Sequence, residues 1–144
     1  MVGPMSSEWL ETHRAVVHQW MCDHFGHMNV RFYAHLFDDA GFALWPMSGV
    51  TRAAFEAAGV HTVVARTETD FRRELLPGHQ ILVRSRFVEL GRKSVIYEQE
   101  LLDADNHGVH AAQRAVEVFF DPKTRGAVLI PTEIRAILEH DARN

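Results

Sequence analysis

Asp23 sits in a glycine-containing turn, Asp23-His24-Phe25-Gly26-His27, directly before a stretch of helical period. A carboxylate is a base or a nucleophile once it is held beside an electrophilic carbon. A helix start adds backbone N–H groups with no intrahelical acceptor and a partial positive charge. Together these parts suit acyl transfer, in which the acid moves a proton or attacks and the N–H groups receive the developing oxyanion. The backbone N–H of Val30 is the first candidate donor and that of Asn29 the second. Gly26 permits a tight reversal or close approach of a substrate. His27 could assist the acid, orient a water or hydrogen-bond the loop. Asn29 suits holding the loop or the substrate. Tyr33 falls on the apolar stripe of the helix, which suits packing, and is kept among the substrate-binding candidates. The bland use of Asp23 is a helix cap.

Other chemistries find less support. Ten histidines are many for 144 residues. Yet His24, His27 and His35 have no cysteine or carboxylate framework at ligand spacing, so no metal site is expected. Cys22 is the only cysteine, which excludes an intrachain disulfide, and it reads as a small packing residue. A formal charge of -4, with arginines scattered among acids, gives no footprint for nucleic acid. Hydrophobic residues at 47% and charged residues at 24% fit one folded domain and exclude a wholly disordered chain. With no bilayer-length apolar run and no signal-peptide pattern, no membrane partner and a cytoplasmic location are expected.

These residues need elements to position them. His13 to Trp20 is β-rich and leads into the turn. Tyr33, Leu36, Phe37, Ala40 and Leu44 follow at helical spacing, predicting a long buried helix capped near His27 or Asn29 and ended by Pro46 and Gly49. Thr51 to Ala58, closed by Gly59, reads as a short helix. Val60 to Arg72, Gln80 to Leu90, Lys93 to Asp103 and Val109 to Asp121 read as four long strands joined by short turns, hence an antiparallel meander. Ala127 to Ile130 could continue the last strand past a bulge or turn, and Pro131 to His140 reads as a terminal helix. Residues 1–11 are expected as a loose leader and 12–144 as a single domain. The order describes an α+β layer, five or six antiparallel strands wrapped around one long helix.

The spacing Asp23-x-x-Gly26-His27-Met28-Asn29-x-x-x-Tyr33 resembles the Asp-x-x-Gly-His-(apolar)-Asn-Asn-x-x-Tyr signature of hotdog-fold acyl-CoA thioesterases, the 4-hydroxybenzoyl-CoA thioesterase-like family. Further landmarks follow in the family's order: Arg66 to Gly78, the Leu90-Gly91-Arg92-Lys93-Ser94 turn, and Asp121 to Arg125 before Ile130-Pro131. Residues 12 to 138 are covered. The resemblance implies the hotdog fold and hydrolysis of a short-chain, aromatic or polar acyl-CoA to free acid and CoA. It implies no metal or organic cofactor, and sites shared between the two copies of a homodimer or dimer of dimers. Asp23 would be the general base or the nucleophile. Glu68 resembles a polar cleft position, equally open to a solvated charge pair. Arg72, Arg73, Arg92 and Lys93 are candidates for the CoA phosphates. The family's second asparagine is Val30 here, so its side-chain contact is missing while a backbone donor survives. Aromatic residues crowd the motif and suit an aryl or short acyl group, or a quaternary ammonium. A hotdog hydratase or dehydratase and a non-catalytic acyl-CoA-binding module are the other readings; the segment characteristic of the former, Gly-Asp-x-Asn-x-x-His, is absent.

Overall fold

Runs rich in β-branched and aromatic residues, broken by Pro-Gly, Gly-Arg and Asn-His-Gly, form the strands of a single antiparallel sheet. The computed structural model describes residues 3–4 and 8–143. The strands are β1 (Gly3–Pro4), β2 (Leu10–Val16), β3 (His61–Phe71), β4 (Gln80–Leu90), β5 (Ser94–Asp103), β6 (Val109–Asp121) and β7 (Gly126–Ala127). Five long strands lie in the order β2, β4, β5, β6, β3; the two-residue pieces β1 and β7 pair with β4 and β6.

The helices are α1 (Val30–Met47), α2 (Arg52–Ala58) and α3 (Thr132–Arg143), with a 3-10 turn over Gln19–Met21. Asn29 caps α1 by accepting the Arg31 N–H at 3.1 Å. The apolar stripe turns Tyr33, Leu36, Phe37, Ala40 and Leu44 onto the sheet, all at most 4% exposed. Two apolar clusters result. One joins Tyr33 to Ala40 with Val17, Met28, Leu75 and Leu101. The other joins Leu44 and Trp45 with Phe87, Phe119, Ile134 and Leu138. Beneath the helix, side-chain hydrogen bonds cross all five long strands, linking Thr12, Ser85, Gln99, Gln113 and Thr69. Gln99 also donates to the Phe37 carbonyl at 2.9 Å. A polar chain satisfied at every step fixes the helix register on the sheet.

Several boundaries differ from expectation. The strand leading into the Asp23 turn, β2, begins at Leu10, which pairs with Ser85, and ends at Val16, after which the chain coils into the 3-10 turn rather than staying extended to Trp20. Leu10 and Glu11, assigned above to the leader, therefore belong to the sheet, as do Gly3 and Pro4; residues 1–2 and 5–7 lie outside the described residues. Pro46 does not stop α1, because in its last turn the missing N–H leaves only one carbonyl unpaired, that of the exposed Phe42. Past the turn at residues 122–125, residues 126–127 fold back on β6 as a short antiparallel piece, and residues 128–130 are not strand.

Candidate active site

The Asp23 turn is closed by its own backbone. Asp23 N–H donates to the His27 carbonyl at 2.9 Å, Gly26 N–H to the Asp23 carbonyl at 3.0 Å, and Cys22 bridges Met28. Gly26 takes φ of +85°, a left-handed conformation open to glycine at little cost. The Asp23 side chain completes the turn: Oδ1 accepts from Phe25 N–H at 2.9 Å and from His27 N–H at 3.5 Å. Among the described residues Oδ2 has no partner. Thus one oxygen is anchored and the other is available.

The helix start divides the two expected donors. The Asn29 N–H is spent on the Met21 carbonyl at 2.9 Å, and the Met28 N–H on Leu75 at 2.8 Å. The Val30 N–H, first in α1, has no acceptor among the described residues. Asn29 is therefore corrected from a backbone donor to a cap, while Val30 keeps the expected role open.

His27 does not turn its ring to Asp23. Its Nε2 lies 3.0 Å from Glu74 Oε2, and its main chain brackets the acid. Glu74 escaped notice in the sequence because it is 47 positions from His27. It belongs to residues 72–79, the link from β3 to β4, which lies against the Asp23 turn. Arg72 and Arg73 N–H groups bond the His110 carbonyl, His110 Nδ1 meets the Glu74 carbonyl at 3.0 Å, and Leu76 N–H donates to His79 Nδ1 at 2.9 Å. His79 Nε2 lies 3.6 Å from the buried Asp103. Backbone N–H groups of Asp105 and Asn106 hold the Asp103 carboxyl below the usual carboxylate range, aided by His79 and His110.

The remaining candidates separate. Tyr33 is 4% exposed and its ring stands edge-on to Phe71 at 5.1 Å, so it packs the core; burial pushes its hydroxyl up. Glu68 pairs with Arg66 at 2.7 Å and faces Arg114 across β3 and β6, on the sheet side away from α1. There it lines a cavity of about 330 Å³ with Asp70, Arg72 and Arg86, on the opposite face of the sheet from α1. Arg72 and Arg73 open the link that packs on the turn. Arg92 and Lys93 lie beyond the far end of β4, which at 11 residues spans about 35 Å. Burial and then Asp23 push the Cys22 thiol up, opposite to what a thiolate nucleophile needs. His35 lies 3.5 Å from Asp39 and His24 packs on Phe25, so the three neighbouring histidines face different partners.

A cavity of about 880 Å³ lies away from Asp23. It lies under the second half of α1, between that helix, α2 and the β3–β6 pair, where Asp38, Trp45, Thr62, Tyr97 and Glu117 line it. No helix among the described residues is long and apolar enough to cross a membrane.

Solved structures resemble the whole chain. The hypothetical protein SAV2348 of Staphylococcus aureus, solved in complex with CoA, is 18% identical over 99% of this chain and 89% of its own, with a TM-score of 0.84. The probable thioesterase YbaW of Escherichia coli is 21% identical over 92% and 99%, at 0.79. Slr0204 of Synechocystis, a 1,4-dihydroxy-2-naphthoyl-CoA thioesterase, is 13% identical over 89% and 94%, at 0.76. None of the curated proteins matches the sequence. At these identities the likeness shows the fold alone, a sheet curled around a central helix. The model of the thioesterase-like superfamily matches residues 16–138, which holds the Asp23 turn, α1 and all four of the longest strands. The chain belongs to the thioesterase-like superfamily and is a hotdog-fold thioester hydrolase.

Proposed function

We propose that this protein hydrolyses a short-chain, aromatic or polar acyl-CoA, with Asp23 as the acid that acts on the thioester carbon. The observation that carries the reading is the division of labour within one carboxylate. Oδ1 is pinned by two N–H groups, while Oδ2 is open beside a helix start whose Val30 N–H is also open. Two routes use this geometry. In one, Oδ2 takes a proton from water as the water oxygen adds to the carbonyl, and the C–S bond then breaks to release CoA thiol and acid. In the other, Oδ2 attacks, CoA leaves, and water cleaves the mixed anhydride. In both, the Val30 N–H receives the carbonyl oxygen as it gains charge.

A second copy of the chain completes the site. Among the described residues β3 ends the sheet, bonded to β6 on one side only, and exposes Val63, Val64 and Phe71. Such an edge is a ready pairing surface, and strand addition there would extend the sheet across a two-fold axis. Along α1 the cavity residues Asp38 to Trp45 stand about 12 to 22 Å beyond Val30 at 1.5 Å per residue. The partner's Asp23 would serve each cavity, and the basic residues at Arg72, Arg73, Arg92 and Lys93 are spread so that both copies can meet the CoA phosphates.

Release of free thiol from a panel of acyl-CoAs tests the reaction, with Asp23→Asn as the control. Asparagine keeps the size and the Oδ1 acceptor but removes the basic oxygen. Turnover should fall about 10²-fold or more with folding and size unchanged. Near-normal turnover in Asp23→Asn removes Asp23 from the mechanism; hydration without thiol release, or binding without turnover, replaces the reaction itself. A fully active monomer at low concentration overturns the shared site.

A further inference from the structure

The cavity under the second half of α1 is unlike an ordinary acyl pocket in its charge. Its volume, about 880 Å³, is within the range of small-molecule sites. Aromatic rings make much of its wall: Phe42 is exposed toward it, and Trp45 meets Phe55 edge-on at 5.2 Å. Set among them is Glu117, only 6% exposed, which accepts the Thr62 hydroxyl at 2.5 Å and hydrogen-bonds the Tyr97 hydroxyl. Asp38 faces the same space from α1. Gly41 makes this possible, since a Cβ there would stand 2.9 Å from the Tyr97 hydroxyl oxygen. The Tyr97 hydroxyl is held above the ordinary tyrosine range by burial first, then by Glu117 and Asp38, so it remains a proton donor.

No Lys, Arg or His among the described residues forms an ion pair with Glu117 or Asp38. The cations of the lining are placed otherwise. Arg52 is bonded to Glu56 at 3.1 Å, His61 stacks on Phe120 at 5.9 Å, and Lys123 is an exposed residue of the turn between β6 and β7. Hydroxyl donors satisfy lone pairs of a buried carboxylate but leave its charge uncompensated, which is costly away from water. A ligand cation would offset that cost, and the faces of Trp and Phe attract a cation further.

We infer that this cavity takes the acyl end of the substrate and selects one that ends in a positive charge, an ammonium or quaternary ammonium group. The inference rests on the acyl-CoA hydrolysis proposed above and gives it a substrate class. A neutral acyl group of the same size gains neither the charge compensation nor the cation–π contact. A carboxylate-terminated one is repelled by both acids.

The test is a matched pair of thioesters: trimethylammonio-butanoyl-CoA, and the neutral thioester in which carbon replaces that nitrogen. The two have the same shape and differ by one charge. With the full chain, kcat/KM should favour the cation by about tenfold or more. Glu117→Gln and Asp38→Asn should each bring the ratio toward one; Asp38 is exposed, so its variant does not depend on repacking the interior. A wild-type ratio of one or less, with thiol released from both, overturns the charge selection and leaves the hydrolysis intact. If neither thioester releases thiol, calorimetry with free trimethylammonio-butanoate and its carbon isostere decides the cavity separately. Binding of the cation alone upholds it, and binding of neither or of both alike overturns it.

Discussion

The two ends of α1 are built by different means. At its start, the polar geometry comes from main-chain groups a few residues apart: Asp23 Oδ1 receives the Phe25 and His27 N–H groups, and Val30 keeps an open donor. In its second half, the cavity comes from side chains far apart in the chain, with Asp38 and Gly41 on the helix, Thr62 on β3, Tyr97 on β5 and Glu117 on β6. A turn closed by its own main chain depends little on distant side chains, which suits chemistry at a fixed atom. A wall assembled from α1, α2 and three strands can alter its character one residue at a time, which suits the choice of an acyl group.

The largest break in that contrast is expected at Asp23. Asp23→Asn should lower turnover about 10²-fold or more on every thioester, whereas Asp38→Asn should change the preference between thioesters. Equal losses from both variants on all substrates would erase the distinction between a reacting end and a selecting end.

Gly41→Ala comes next, as a structural probe of the selecting end. Alanine favours a helix by about 1 kcal/mol over glycine, yet its Cβ would press on the buried Tyr97 hydroxyl at 2.9 Å. Overpacking should win, with a net loss of about 1 to 2 kcal/mol in urea unfolding. In a Tyr97→Phe background the loss should vanish or reverse. A stabilised Gly41→Ala single variant would mean that the hydroxyl does not depend on that space.

The reacting end offers a smaller effect through His27. Because its ring meets the exposed Glu74 rather than Asp23, His27→Ala should cost less than about tenfold in kcat, and Glu74→Gln no more than that. A loss matching that of Asp23→Asn would instead make the acid and the histidine one catalytic unit.

The smallest effect concerns acid stability. Asp103 is depressed in the folded state, so it binds its proton more weakly there than in the unfolded chain. Its contribution is therefore complete above the unfolded carboxylate value near pH 4, and it is lost as pH falls through the lower folded value. Urea midpoints of the wild type and Asp103→Asn should differ most above about pH 5 and converge as pH falls below the usual carboxylate range. A constant gap over that range would show that hydrogen-bond geometry alone, and not the charge, stabilises the 103–108 turn.

The sequence by itself determined the parts whose interactions are local. The Asp23 turn, a helix cap at His27 or Asn29 and the stripe from Tyr33 to Leu44 all follow from spacing within a few residues, and four strands follow from alternation and turn chemistry to within one residue at each end. Only the tertiary structure decided which groups were left over. Whether the Asn29 or the Val30 N–H stayed open depended on the Met21 carbonyl, reached through the 3-10 turn. That His27 would face Glu74, that Tyr33 would close the core against Phe71, and that Glu68 would lie on the far side of the sheet depended on strand register and on the path of residues 72–79. Glu117 carries no local sign of its role, because alternation tells that it faces inward but not that Thr62, Tyr97 and Asp38 face it there. Backbone periodicity is encoded over a few residues, whereas the pairing of side chains 20 to 80 positions apart is fixed only when the sheet closes around the helix.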